Sequence, residues 1–352
     1  MCIVEMKIIA NSVKTSKGEV NLYTLINNSG SKVILSSIGA GIVSVIVPDK
    51  SGIFADITLG YAEIEDYLYD GPCCGKTAGR YANRIARGLF SLDGIKYKLA
   101  TNCVPNALHG GPEGFQNQIW DSEIVDNKVV FSRISPNGEE GYPGTLSIKV
   151  SYSWSENNEL EIDYFATTDK KTIVNLTNHC YWNLSGENYG SVLDHKLKLT
   201  CSKYLPTDDT LVPTGEYASV VGTPMDFINH KTLGAEINAK FPALIYGKGY
   251  DNCWVVDNWE KNTLTHVAQL IDENSGRVLN VFSTQPAVQI YTGNWLNGSP
   301  KSKSGGEYHD YDAVAIECQA MPDAPNHQNF PSTELIPGEE YNQKIIYKFT
   351  IK

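Results

Sequence analysis

The sequence predicts an all-β protein built as a large antiparallel β-sandwich, and three observations carry that expectation. Apolar residues recur at every second position, as in Ile148-Lys149-Val150-Ser151-Tyr152-Ser153-Trp154, which is the period of a strand with one buried face. Turn-forming clusters such as Asp93-Gly94 and Pro136-Asn137-Gly138 separate these runs, as tight strand connections require. The 30 glycines and 20 tyrosines suit a twisted sheet, where turns need positive φ and half-buried faces favour aromatic rings.

Taken in chain order, Asn28-Ser29-Gly30 is a turn and Ala62 to Tyr69 is a helical stretch of about two turns. Gly79 to Gly88 carries Arg80, Arg84 and Arg87, with one arginine expected to point inward and Arg80 and Arg87 to stay solvated. After Leu108-His109-Gly110-Gly111 and the Pro136 turn, strands are expected at Ile148–Trp154, Leu160-Glu161-Ile162-Asp163-Tyr164, Ile173–Leu176 and Leu193–Leu199. A second short helix is expected at Thr232–Ala239. The apolar run Ala313-Val314-Ala315-Ile316-Glu317-Cys318 and the alternation Tyr347–Ile351, which follows the Pro337-Gly338 turn, supply late strands. No repeat, linker or charge block divides the chain, so residues 1–352 are expected to form one domain, with a string of smaller β-modules as the alternative.

Composition excludes several classes of function. Hydrophobic residues make up 41% and charged residues 20%, the balance of a folded, soluble chain. The net charge of −11 argues against nucleic acid, because phosphate binding needs clustered lysine and arginine. Met1 to Lys7 lacks the basic and apolar regions of a leader, and no stretch approaches the ~20 apolar residues that span a bilayer. A cytoplasmic protein with no membrane partner is expected. The eight cysteines contain one adjacent pair but no C-x-x-C, so they are expected to be reduced and mostly buried. Cys180 and Cys318 adjoin candidate catalytic residues, but strand alternation turns neighbours to opposite faces, so neither is expected to act as a nucleophile.

The candidate chemistry lies in two histidines and a carboxylate. Glu317 interrupts an apolar strand and is followed by Gln319-Ala320-Met321-Pro322-Asp323, so its carboxyl should emerge at a sheet end. There, partial desolvation would raise its pKa and make it a better base; a structural carboxylate bonded to a loop is the other reading. His179 stands in Thr177-Asn178-His179-Cys180-Tyr181-Trp182-Asn183-Leu184, ringed by amides and aromatics, as a sugar-handling histidine would be. Tyr181 and Trp182 could offer a platform for a sugar ring or belong to the core. His109 has Gly110-Gly111 beside it, which would let backbone approach a ligand or simply shape a turn. Asp251 in Gly249-Tyr250-Asp251-Asn252 could accept from two hydroxyls or serve a turn. Phosphate loops, nucleophile elbows and metal helices are absent. His109 and His179 are too far apart in sequence to suggest zinc, and no cofactor is expected.

Several of these segments, in this order, resemble the aldose 1-epimerases, also called galactose mutarotases. They are Gly79–Ala86, Leu108–Phe115, Asn178–Leu184, Pro206-Thr207-Asp208, Val212–Gly215, Gly222–Phe227, Gly249–Asn252 and Gln285–Asn294. The resemblance implies a galactose mutarotase-like supersandwich with its site in a cleft on one sheet. It implies that Glu317 takes the proton of the anomeric hydroxyl and that His179 protonates the ring oxygen. His109 would assist at the ring oxygen or orient the sugar, Asn83 and Arg84 would hold hydroxyls, Tyr181 would contact the ring, and Asp251 and Gln289 would fix the remaining edge. The chain departs from the family pattern at Trp182, where phenylalanine is frequent, and after Glu317, where an aromatic often precedes the proline. The implied activity is interconversion of the anomers of free glucose and galactose, by a monomer or weak homodimer. The alternatives are a hexose-phosphate epimerase, which Lys248 keeps open, a non-catalytic sugar-binding protein, and a glycoside hydrolase using Asp251 with Glu317.

Overall fold

The computed structural model describes residues 6–352, so the first five residues, Cys2 among them, lie outside it. Three antiparallel sheets dominate. A five-stranded meander runs in sequence order through Lys7–Thr15, Gly18–Ile26, Lys32–Ser36, Gly41–Pro48 and Phe54–Asp56. A nine-stranded sheet has at its centre Leu146–Trp154, Glu159–Thr168, Tyr341–Ile351 and Arg277–Ser283. A six-stranded sheet is ordered Tyr181–Trp182, Val314–Gln319, Ala287–Tyr291, Asp251–Val255, Lys203–Tyr204, Ala218–Ser219.

The expected alternation is realised in the nine-stranded sheet. Ile148, Val150, Tyr152, Leu160, Ile162 and Tyr164 are buried, while the residues between them are more exposed. Their buried faces share one core with Leu25 and Val45 of the meander and with Trp254, Val288 and Ile316 of the six-stranded sheet. The six-stranded sheet differs in being buried on both faces, and every residue of Val314–Gln319 is buried. Val314, Ile316 and Cys318 face the main core, whereas Ala315 belongs to a second cluster with Tyr61, Tyr67 and Tyr181. Glu317 shares that second face. Tyr181 and Trp182 divide in the same way: Trp182 enters the main core, its ring 4.9 Å from Tyr347 and 5.5 Å from Phe349. Trp182 is therefore core and not a sugar platform. Trp182→Ala is expected to cost about 3–5 kcal/mol through the cavity it leaves, measurable as a lower urea midpoint with an unchanged m-value.

Local expectations fared unevenly. The first helical stretch is a 3₁₀ turn at Ile64–Leu68. Thr232–Ala239 is not a helix: Lys231–Thr232 pairs with Lys196–Leu197, and the next N–H groups, of Leu233 and Gly234, donate to His195 and Leu193. Those donors are then lost to any local helix. The α-helix lies just beyond, at Pro242–Gly247, with proline in its first turn, where a missing N–H costs nothing. Ile173–Leu176 does not run as one strand either. Thr172–Ile173 pairs with Glu334–Leu335, Asn175 bridges Tyr81, and Thr177–Asn178 pairs with Thr77–Ala78.

Candidate active site

Beside the second face of the six-stranded sheet lies a cleft of about 830 Å³, within the size range of small-molecule sites. Its wall includes Asn83, Arg84, His109, His179, Tyr181, Asp251 and Glu317. Glu317 does not sit at a sheet end: it projects from within its strand, paired across the sheet with Gln289. His179 is fixed on both sides by backbone, its N–H donating to Lys76 and its carbonyl accepting from Gly75, each at 2.9 Å. His179 Nε2 then lies 3.5 Å from Glu317 Oε1. The second oxygen of Glu317 and Nδ1 of His179 are buried without a protein partner. Buried polar atoms left in this way are costly unless a ligand or water completes them.

Burial drives the two groups apart electrostatically. It pushes the Glu317 carboxyl well above its ordinary range, an effect that Asp251 reinforces and Arg84 opposes. It also pushes His179 down to about 4, with Lys76 adding to the fall. A dry environment penalises whichever form is charged, which for these two groups means carboxylate and imidazolium.

His109 adopts a left-handed backbone, φ 50°. Its ring meets that of His179 edge to face at 5.2 Å. Its Nδ1 accepts the backbone N–H of Asn83 at 3.2 Å, so in the neutral ring Nε2 carries the proton and acts as a donor. Burial, His179 and Arg84 all hold its pKa well below the usual value. Gly110 does not serve a ligand: a Cβ there would overlap the carbonyl of Gly79.

Asp251 opens a strand and does not serve a turn. Its Oδ2 meets Arg84 Nη2 at 3.2 Å and its Oδ1 accepts from Gln289 Nε2 at 2.6 Å. Gln289 lies on the same face of the sheet as Glu317, its amide nitrogen holds Asp251, and its Oε1 is buried without a protein partner. The Asn83 side chain accepts the Arg84 N–H at 2.8 Å, and Tyr181 donates its hydroxyl to Pro72 at 3.0 Å with its ring 4.9 Å from His179.

Arg80, expected in solvent, is buried and donates to the carbonyls of Pro143 and Gly144 at 2.8 and 2.9 Å. It ties two turns together, whereas Arg87 is exposed as expected. Cys318 lies in the core with its thiol pushed up to about 12 by burial, and burial raises Cys180 likewise. The cleft wall also contains Asp66, Tyr69, Cys73, Cys103, Tyr291 and Trp295, none of which the sequence singled out. Tyr291 was within reach, two positions after Gln289 on the same strand face. Trp295, 55% exposed, lies on an irregular segment that carries no periodic signal, and Tyr69, 65% exposed, caps the 3₁₀ turn at Ile64–Leu68.

Ligand atoms of His109, His179 and Glu317 lie within 4.8 Å of one another, a cluster that the sequence spacing did not suggest. A divalent ion is poorly suited to it, because the Asn83 N–H occupies the nitrogen of His109 that would have to carry the proton if Nε2 bound metal. Hydrogen-bond reach to one small substrate is what the cluster offers.

The family model for aldose 1-epimerases matches residues 21–348. A galactose mutarotase from Bos taurus is 42% identical over 320 residues, 91% of each chain. An aldose 1-epimerase from Escherichia coli K12 is 38% identical over 335 residues, covering 93% of this chain and 94% of that one. Among solved structures, an aldose epimerase homologue from C. elegans superposes with a TM-score of 0.85 at 31% identity, over 97% of this chain and 99% of the other. A galactose 1-epimerase from Lactobacillus acidophilus superposes with a TM-score of 0.84 at 26% identity, over 99% of both. The mutarotase-like sandwich, the imidazole and carboxyl paired in its cleft, and these similarities over the length of the chain lead to one assignment: the chain belongs to the aldose 1-epimerase family.

Proposed function

We propose that this cleft opens and recloses the ring of free aldohexoses, glucose and galactose among them, with Glu317 as general base and His179 as general acid. Membership of the family makes the chain an isomerase that interconverts aldose anomers. The residue roles rest on one observation above all: a carboxyl and an imidazole 3.5 Å apart on a buried surface, with burial moving their pKa values in opposite directions. A raised carboxyl is a strong base and a lowered imidazolium a strong acid, which is what ring opening needs.

In the form of the pair that carries its shared proton on His179, Glu317 removes the proton of the C1 hydroxyl while His179 gives its proton to the ring oxygen, and the bond from C1 to that oxygen breaks. The aldehyde turns about its bond to C2 and offers its other face. The proton pair then runs backwards and closes the opposite anomer. His109, a neutral donor through Nε2–H, holds a sugar oxygen without changing charge. Arg84 and Asp251, locked to each other, present a fixed fork of donors and acceptors to hydroxyls. Gln289 acts through Asp251, while Asn83 and Tyr181 shape the wall around the histidines.

Because one proton is shared by the pair, activity should form a plateau in pH. It falls below about 4, where His179 keeps its proton when Glu317 is also protonated, and falls again where pH passes the raised pKa of Glu317 and the pair holds no proton. Polarimetry of galactose from pH 3 to 10, corrected for the spontaneous rate, tests this; a single titration near the ordinary histidine pKa contradicts it. His109→Gln, which keeps a donor, should lower kcat/KM by about 10-fold and leave the acid limb in place. Movement of that limb would make His109 the acid.

The rival readings lose their support. Lys248 sits over the Trp295 ring at the edge of the cleft but does not line it, and Asp310 holds it at 2.5 Å. Arg84 is the one lysine or arginine of the described residues lining the cleft, and Asp251 already neutralises it, which disfavours a phosphate. Both Asp251 oxygens are engaged, which argues against Asp251 as the partner of Glu317 in a glycosidase pair. We place the activity in a single folding unit spanning residues 1–352, in keeping with a core that gathers side chains from Tyr23 to Phe349. We also place it in the cytoplasm, where the seven free thiols of the described residues would stay reduced. No helix of the described residues is long and apolar enough to cross a membrane.

A further inference from the structure

We propose that the same cleft also hydrolyses aldono-δ-lactones, the cyclic esters formed when C1 of an aldopyranose is oxidised. The inference rests on the aldose reading above. A lactone that has taken up water at C1 differs from a cyclic aldose at one position, where a second hydroxyl replaces hydrogen. Opening its ring needs the same two proton transfers. The product is a carboxylic acid in place of an aldehyde.

The geometry supplies each part. Glu317 stands in the cleft wall with Oε1 3.5 Å from His179 Nε2, so its carboxylate is placed to draw a proton from a water beside C1. As that water oxygen bonds to C1, the carbonyl pair moves onto the carbonyl oxygen. The negative charge that results meets the fixed Nε2–H of His109, oriented by the Asn83 N–H at 3.2 Å. The carbonyl then re-forms, the bond from C1 to the ring oxygen breaks with its pair on that oxygen, and His179 supplies the proton. Glu317 returns its proton across 3.5 Å to His179. The sum is lactone plus water to aldonic acid, with nothing oxidised or reduced.

Two further features favour turnover. The cleft, at about 830 Å³, has room for a water beside a pyranose ring. With Arg84 cancelled by Asp251 and one proton shared by Glu317 and His179, Asp66 is the wall's remaining carboxylate, so nothing in the wall retains an ionised aldonate. Asp251 cannot replace Glu317 as the base, since both its oxygens are bonded.

The test follows acid release from D-glucono-δ-lactone in a pH-stat, with wild type, Glu317→Gln and His179→Asn, and polarimetry of galactose on the same preparations. Expected are acceleration of at least about 10-fold over the spontaneous rate, its loss in both variants, and competitive inhibition by galactose. Wild type that mutarotates galactose yet leaves the lactone at its spontaneous rate overturns the inference alone. So does a lactone that inhibits mutarotation without being consumed, or a Glu317→Gln protein that keeps the lactone activity. Wild type inactive on galactose overturns the parent reading instead. Melting curves of both variants separate loss of chemistry from loss of fold.

Discussion

Glu317→Gln is expected to lower kcat for galactose mutarotation by roughly 10³-fold while raising the melting temperature at neutral pH. The two effects share one cause. Glu317 is buried at 2% exposure with one oxygen unpartnered, and burial holds its pKa well above the ordinary value. The folded protein therefore binds a proton that the unfolded chain has released. Its contribution to stability is full below the unfolded pKa of about 4.5 and is lost as pH rises through the raised folded value. Glutamine carries no charge to desolvate, so the variant should be the more stable protein at pH 7, and the gain should shrink toward pH 4.5. Isothermal calorimetry should show galactose still bound, because Arg84, Asp251 and His109 are untouched. A variant that loses activity and stability together would instead mark Glu317 as a structural carboxylate.

His179→Asn should cost a similar 10²- to 10⁴-fold in kcat, with a different signature. Asparagine keeps a hydrogen-bonding side chain between the Lys76 and Gly75 backbone contacts but cannot deliver a proton. The acid limb near pH 4 should therefore vanish from the residual activity, since that limb belongs to His179. The linkage runs opposite to that of Glu317: the depressed His179 gives stability that is present above the ordinary histidine pKa and lost as pH falls through about 4. The variant should accordingly resist acid unfolding better than wild type. Loss of sugar binding without change in the pH profile would assign His179 to holding the substrate. His109 cannot take over its role, because its Nδ1 is already committed to the Asn83 N–H.

Much of this protein can be read from its residues, and the reason differs from element to element. The strands Leu146–Trp154 and Glu159–Thr168 bury one face, so a two-residue period is written into their side chains. Glu317 stood out because a carboxylate inside an apolar run has no cheap explanation, and alternation set Cys180 and Cys318 apart from their functional neighbours. Those features are local or periodic, and a sequence displays them directly. Only the tertiary structure decided the rest. It joined positions 109, 179 and 317 within 4.8 Å, buried Arg80 beneath two turns, and bonded the Gln289 amide to Asp251. It also steered Lys248 toward Asp310 and left Thr232–Ala239 without the donors of a helix. Each of these outcomes depends on which distant backbone group or side chain arrives at hydrogen-bond distance, and that is set by packing between sheets, which no local pattern encodes.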